Sequence, residues 1–297
     1  MTRRELLGAA GGYVAQARPG GAPFHWAICN ETFAGSSFRE GCRLAREAGF
    51  AGLEIAPFTL SEDPAALSRD QRRAVREAMA AEKIAYVGLQ AFLSAPKGLH
   101  LTGPDAAVRA RSWEYFRQML DLAADLGAGA VMVLGSGRQR AAVEGVSVAE
   151  ATARLREGLA ALAAQAEARR VEVLLEPLAG HLCNVVTSLE EAVAMVREIN
   201  SPYVQTIFDT HNAVNEKLPH AELVKKYHRH IRHVHVNEID GRRPGAGDYD
   251  FRPVLQALQD LGYRRWVSVE VFDFTPGGER IARESFQHLS RLAAGLR

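Results

Sequence analysis

The run Val171-Glu-Val-Leu-Leu-Glu-Pro177 constrains this chain more than any other stretch. A nearly continuous Val/Leu segment reads as a strand buried on both faces, as in a parallel sheet, and Pro177 stops it directly after a carboxylate. Glu176 therefore stands at the carboxyl end of a buried strand, where an unpartnered carboxylate is costly or takes up a proton. It needs partners, and three further β-branched runs offer them. Ile207-Phe-Asp209, His233-Val-His235 and Val267-Ser-Val-Glu270 each end on or near an acid or an imidazole, at successive spacings of 33, 26 and 35 residues. Each spacing is the length of one βα unit. Four consecutive units offering Glu, Asp, His and Glu at the same end is what a barrel with a metal at its C-terminal mouth requires.

The remainder of the chain supplies the other units. Short apolar runs predict strands over 24–29, 52–56, 84–90, 130–134, 171–177, 204–209, 231–236 and 266–271. Apolar periodicity and cap residues predict helices over 36–49, 68–83, 105–126, 147–169, 188–199, 221–230, 252–261 and 279–294. Strand and helix alternate eight times with no Ser/Pro-rich linker, and no Gly-rich dinucleotide fingerprint follows the first strand. The pattern predicts a single (β/α)8 TIM barrel over residues 21–297 rather than an open doubly wound sheet. A length of 297 residues with 47% hydrophobic residues suits one such domain. The loop 91–103, carrying Pro96, Gly98 and His100, is long enough to expect a functional role.

Lys and Arg number 36 against 35 Asp and Glu, a formal charge of +1, so no global field favours nucleic acid. Three cysteines, Cys29, Cys42 and Cys183, are odd in number and lack CxxC spacing, which argues for small buried hydrophobes rather than disulfides or a zinc site. No apolar run approaches membrane-spanning length. Residues 1–20 form an N-terminal extension, and the cytoplasm is the expected location. The alternative is export through a twin-arginine signal at residues 1–17, with Arg3-Arg4 and a small-x-small site at Ala15-Gln-Ala17.

Two glutamates, an aspartate and an imidazole form an O3N donor set for one divalent metal ion, suited to Mn2+ or Mg2+ and acceptable to Co2+ or Zn2+. Around it, Glu54 at the end of the second strand can meet a substrate hydroxyl or bridge to an arginine. Glu238 with Arg242 or Arg243 follows the seventh strand, where an arginine can hold a hydroxyl, carboxylate or phosphate, or simply decorate a Pro-Gly turn. Arg138 and Arg140 form a second basic loop, read as surface solvation.

Leu174-Leu-Glu-Pro177, Phe208-Asp-Thr-His211, His233-Val-His-Val-Asn-Glu238 with Pro244-Gly-x-Gly247, and Ser268-Val-Glu270 resemble the xylose-isomerase-like barrel family, in its sugar (phosphate) isomerase/epimerase branch. The resemblance covers nearly the whole chain after residue 20. It implies a metal held by Glu176, Asp209, His235 and Glu270, and Glu176 and Glu270 as the catalytic pair moving a proton through a metal-stabilised enediolate. It also implies substrate contact by His211, one position short of the family's histidine. Family 3-epimerases carry a further glutamate six residues after the first ligand, where this chain has Leu182; His181 beside it can substitute in hydrogen bonding. The expected activity is isomerisation or epimerisation of a small sugar, keto-sugar or sugar acid. The alternative is dehydration on the same scaffold, as in inosose dehydratases. Endonuclease IV shares the fold, but Glu54 and Gln90 stand where it needs histidines. The expected partner is a small carbohydrate, with neither nucleic acid nor membrane, and a homo-oligomer is compatible with the sequence.

Overall fold

Strands whose side chains alternate between two apolar environments need both faces covered, and a closed barrel wrapped in helices provides this. The computed structural model describes residues 24–297; the N-terminal extension, the twin-arginine segment and its cleavage site lie outside them. Eight strands run β1 His25–Cys29, β2 Gly52–Ile55, β3 Ala85–Leu89, β4 Val131–Leu134, β5 Glu172–Leu175, β6 Val204–Asp209, β7 Ile231–Val236 and β8 Trp266–Val269. All pair in parallel in sequence order, and β1 pairs with β8, Ala27 opposite Ser268, which closes the ring. The fold is a single (β/α)8 TIM barrel. Among the described residues no helix is long and apolar enough to cross a membrane.

The helices are α1 Phe38–Ala48, α2 Arg69–Ala81, α3 Ala106–Leu126, α4 Gly137–Arg140, α5 Val148–Arg169, α6 Leu189–Ile199, α7 His220–Tyr227, α8 Arg252–Asp260 and α9 Gly278–Ala294. Several start on side-chain caps. Ser37, Ser147 and Ser188 each accept a backbone N–H three residues on, Asp105 accepts two, and Ser68 forms a reciprocal capping box with Gln71. The eight expected helices are all present. The single turn α4 is new, in a segment that the sequence reads as loop.

Inside the ring, Ala27, Val87, Val133, Leu174, Ile207 and Trp266 pack together, while a larger cluster fills the layer between strands and helices. Strand alternation then decides what lies above the inner cluster. Leu174 and Ile207 point inward, so Glu176 and Asp209, two residues further on, do so too. His235 and Glu270 lie on the inner face in the same way, above His233 and Ser268, both fully buried. Glu176 and Glu270 fall one residue beyond the ends of β5 and β8, at the rim.

The long loop 91–103 folds onto the mouth rather than into solvent. Leu93, Leu99 and Leu101 are buried, the Leu101 N–H donates to the Gln139 carbonyl (2.7 Å), and Trp113 Nε1 donates to the Leu101 carbonyl (3.2 Å). The Trp113 indole also stacks on Phe116, and its other neighbour is Gly158 of α5, where an added Cβ would fall inside the ring. Helix propensity alone favours Gly158→Ala by about 1 kcal/mol. The overlap with a pinned indole outweighs it, and the variant is expected to lose about 1–3 kcal/mol in urea unfolding. Unchanged or increased stability would show that α5 can move away from Trp113.

Candidate active site

Each of the four inward groups is delivered by a different strand, and their ligand atoms all lie within 4.8 Å of one another. His235 Nδ1 is the centre. It sits 3.2 Å from Glu270 Oε2, 3.6 Å from Glu176 Oε1 and 3.7 Å from Asp209 Oδ2. The register sets this convergence, with Asp209 opposite His235 and His235 opposite Ser268 across adjacent strands. Buried polar atoms are normally hydrogen-bonded. Here Asp209 Oδ2, Glu270 Oε2 and His235 Nδ1 are buried and lack hydrogen-bond partners, and all three point at the same spot. Orphaned oxygen and nitrogen atoms that converge in this way fit a divalent cation.

The electrostatics express the same crowding. Burial pushes the Asp209 carboxyl well above its ordinary range, and the neighbouring Glu176 and Glu270 push it the same way. Burial also raises Glu176, against the pull of the adjacent His235 imidazole. On His235 burial acts to lower the pKa, but Glu270 and Glu54 overcome it and hold the imidazole well above its usual value. Three carboxylates in a low-dielectric pocket demand positive charge at their midpoint.

A fixed frame holds the cluster. The Glu54 Oε2 atom takes His235 Nε2 at 3.1 Å and His233 Nε2 at 2.9 Å, which orients Nδ1 toward the carboxylates. Burial opposes ionisation of Glu54, yet His233 and His235 keep its carboxyl well below the ordinary range. The sequence offered Glu54 a substrate hydroxyl or an arginine; the structure gives it two imidazoles instead. Glu54 is fully buried beneath His235. Arg140 departs further from its expectation as a solvated surface residue. Its guanidinium is fully buried and donates to the carbonyls of Gly135 (2.8 Å), Val185 (2.5 Å) and Glu176 (2.6 Å). The turn α4 exists to bring it inward, and it pins the main chain on which Glu176 rides. Asn212 completes the frame: its N–H donates to Asp209 Oδ1 (2.8 Å) and its Nδ2 to Glu176 Oε1 (3.3 Å). Gly135 must lack a side chain because a Cβ there would overlap Glu176 Oε2.

Above the cluster lies an open cavity of about 400 Å3. Glu176 and Glu270 line it, with Glu31, Gln90, Ser136 and Arg138 as other polar groups and Phe58, Leu182, Phe272 and Phe274 as apolar walls. Leu182 is 41% exposed, and His181 turns its ring toward His211. His211 sits at the rim against Phe272, with Nδ1 donating to the Ile239 carbonyl at 2.6 Å, which leaves Nε2 as its remaining polar atom. Glu238 and Arg242 lie away from the residues that line this cavity. Glu238 is buried and staples the loop after β7, accepting the Gly245 and Tyr249 N–H groups (2.8 and 3.1 Å). Arg242 is exposed, pairs with Asp240 at 2.7 Å, and faces a separate surface hollow. Arg243 pairs with Glu284. The three cysteines are free and buried, as the sequence implies.

Glu31 escapes sequence reasoning because it belongs to no strand-end pattern. It lies in the one-turn 3-10 helix Asn30–Phe33 after β1, a segment anchored by Asn30, whose Oδ1 accepts the Ala56 N–H (2.8 Å) and whose Nδ2 donates to Thr59 Oγ1 (2.7 Å). Burial, then the nearby charge of Glu270, raises the Glu31 carboxyl from 4.5 to about 8.

Residues 42–292 match the family described as xylose isomerase-like TIM barrel. The chain is 29% identical over 120 residues to the D-psicose 3-epimerase of Enterocloster bolteae, covering 40% of this chain and 40% of that relative. It is 26% identical over 138 residues to the inosose dehydratase of Clostridium perfringens, covering 39% of this chain and 46% of that one. The alignments thus span less than half the length of either relative. Among solved structures, D-psicose 3-epimerase in the presence of D-fructose superimposes with a TM-score of 0.78 at 20% identity, over 92% of this chain and all of that one. At that identity the likeness establishes the barrel.

The raised Glu31 carboxyl links folding to pH. Between about pH 4.5 and 8 the folded state keeps a proton that the unfolded state has released, so stability falls as pH rises through this window. Glu31→Gln has no such proton to lose. In protein stripped of metal, the variant's melting temperature relative to wild type is expected to rise by at least about 2 °C between pH 5 and pH 8.5. An offset that is the same at both pH values would mean that Glu31 ionises normally.

Proposed function

Because the chain belongs to the xylose isomerase-like TIM barrel family, we propose that it is a divalent-metal-dependent isomerase or epimerase of a small sugar, keto-sugar or sugar acid. One observation carries this reading: of the four converging groups, Glu176 and Glu270 reach the cavity wall, while Asp209 and His235 lie beneath it. The two groups able to touch a substrate are both carboxylates, which is the arrangement proton removal and return require. A divalent cation on the four groups, best Mn2+ or Mg2+, would supply Lewis acidity toward a carbonyl and its adjacent hydroxyl.

The chain's own residues do the rest. Glu176 divides its oxygens between tasks, Oε1 facing His235 and Oε2 facing Gly135, so binding within the cluster leaves an oxygen for proton transfer. Arg140 and Asn212 hold that carboxylate in one position, and a base fixed in place reacts faster than one that must be gathered. Phe272, Phe274 and Phe58 give the open cavity apolar walls against which the carbon skeleton of a sugar can pack. His211 at the rim offers Nε2 to a substrate hydroxyl. Glu54 acts through His235, as the acceptor that fixes the ring.

Dehydration is the second reading. It is favoured by the inosose dehydratases among the relatives and by Leu182 at the position where 3-epimerases are expected to carry a glutamate. Loss of water from the product, seen by mass spectrometry, would select it over isomerisation.

Glu176→Gln and Glu270→Gln are each expected to reduce solvent-deuterium uptake by a ketose panel at least 100-fold while retaining the wild-type circular dichroism. Full exchange in either variant removes that residue from proton transfer. Glu54→Gln is expected to weaken Mn2+ binding about 10–100-fold in calorimetric titration; an unchanged affinity would show that His235 holds its orientation unaided.

A further inference from the structure

The cluster draws on β5 to β8, yet the cavity is also lined by residues following β1, β2, β3 and β4. Among the polar groups there, Gln90, Ser136 and Glu31 have no task in the frame described above. Gln90, just past β3, is 2% exposed; its buried Nε2 faces the Glu31 carboxyl, whose ionised form it favours, without closing a hydrogen bond of good geometry. Ser136, just past β4, has a buried Oγ that is likewise unpartnered and that caps nothing, although Ser136 stands at the start of α4. Its φ of +41° is one that L residues adopt at a cost. Glu31 comes from the segment anchored by Asn30. All three line the same cavity as Glu176 and Glu270.

A buried polar atom left unpaired costs free energy that a hydrogen-bonding ligand returns. Two such atoms and a carboxyl lining the cavity that the carboxylate pair also lines describe a surface that both accepts and donates hydrogen bonds, as a row of hydroxyls does. We infer that Glu31, Gln90 and Ser136 form a second binding wall that takes the hydroxyls of an uncharged sugar at the end remote from the reacting carbons. This rests on the proposed sugar chemistry of the site and narrows its substrate class. A phosphate or carboxylate in the same place would find a carboxyl, an amide and a hydroxyl but no cation, and burying an anion without one is costly. Arg138 is the one guanidinium among the lining residues, and it is exposed on the outer loop. It would favour an anionic sugar only if that sugar's charged end lay outside this wall.

The wall is tested by calorimetry on Mg2+-loaded full chain with D-fructose, D-tagatose, D-psicose and D-fructose 6-phosphate, for wild type, Gln90→Leu and Ser136→Ala. At least one neutral ketose is expected to bind wild type more tightly than the phosphate ester does. Each variant is expected to weaken that binding about tenfold or more, with metal stoichiometry unchanged. Gln90→Leu removes an unpaired buried amide and is expected to keep or raise the melting temperature of the sugar-free protein, which a merely structural Gln90 would not. Wild-type affinity in both variants, tighter binding of the phosphate ester, or no binding of any neutral ketose overturns the inference. If sugars bind and the variants weaken them, yet wild type exchanges no deuterium, the proposed reaction fails and the wall stands.

Discussion

The contact between Glu54 and His235 sits at the root of this molecule's chemistry. An imidazole surrounded by carboxylates can turn either nitrogen toward them, and only an acceptor on the far side fixes which. Glu54, fully buried and shared between His233 and His235, is that acceptor. With Nε2 committed below, Nδ1 faces Glu176, Asp209 and Glu270 above. The order runs from the barrel floor upward: apolar residues, then the two histidines with Glu54, then the carboxylates, then the cavity. Each layer fixes the orientation of the one above.

Burying this much charge is expensive, and the protein offsets it with backbone dipoles as well as with ion pairs. Arg140 shows this most clearly. A guanidinium with no carboxylate side chain on it is satisfied by three carbonyls, all from segments that border the site. Its positive charge sits behind Glu176, while its geometry ties β5, the turn after β4 and the stretch near Val185 into one rigid unit. Asn212 works similarly from the turn after β6, touching two carboxylates with one side chain and one N–H.

The mouth is chemically lopsided. The β5–β8 arc carries the converging acids and imidazole with Phe272 and Phe274, whereas the β1–β4 arc carries Gln90, Ser136, Glu31, Arg138 and Phe58. A barrel makes such division simple, because every strand delivers its terminal residues to the same rim and each loop is free to differ. Chemistry and recognition can then occupy opposite sides of one cavity without sharing residues.

The ring of eight strands, the approximate helix limits and the convergence of residues 176, 209, 235 and 270 all follow from the chain's local patterns. Apolar runs of strand length set which residues are buried, alternation sets which face they take, and spacing by βα units puts their ends at one rim. Those properties are local or periodic, so a single sequence carries them. What Glu54, Glu238, Arg140, Arg242 and Glu31 do is not of that kind. Glu54 and Glu238 look like rim acids, and Arg140 looks like a solvated loop cation, until packing shows which atoms lie across from them. The partner of Glu54 is 181 residues away in the chain, and those of Arg140 are carbonyls that no side-chain pattern announces. Hydrogen bonding between distant segments depends on distances of a few tenths of an ångström, and only the assembled barrel sets these.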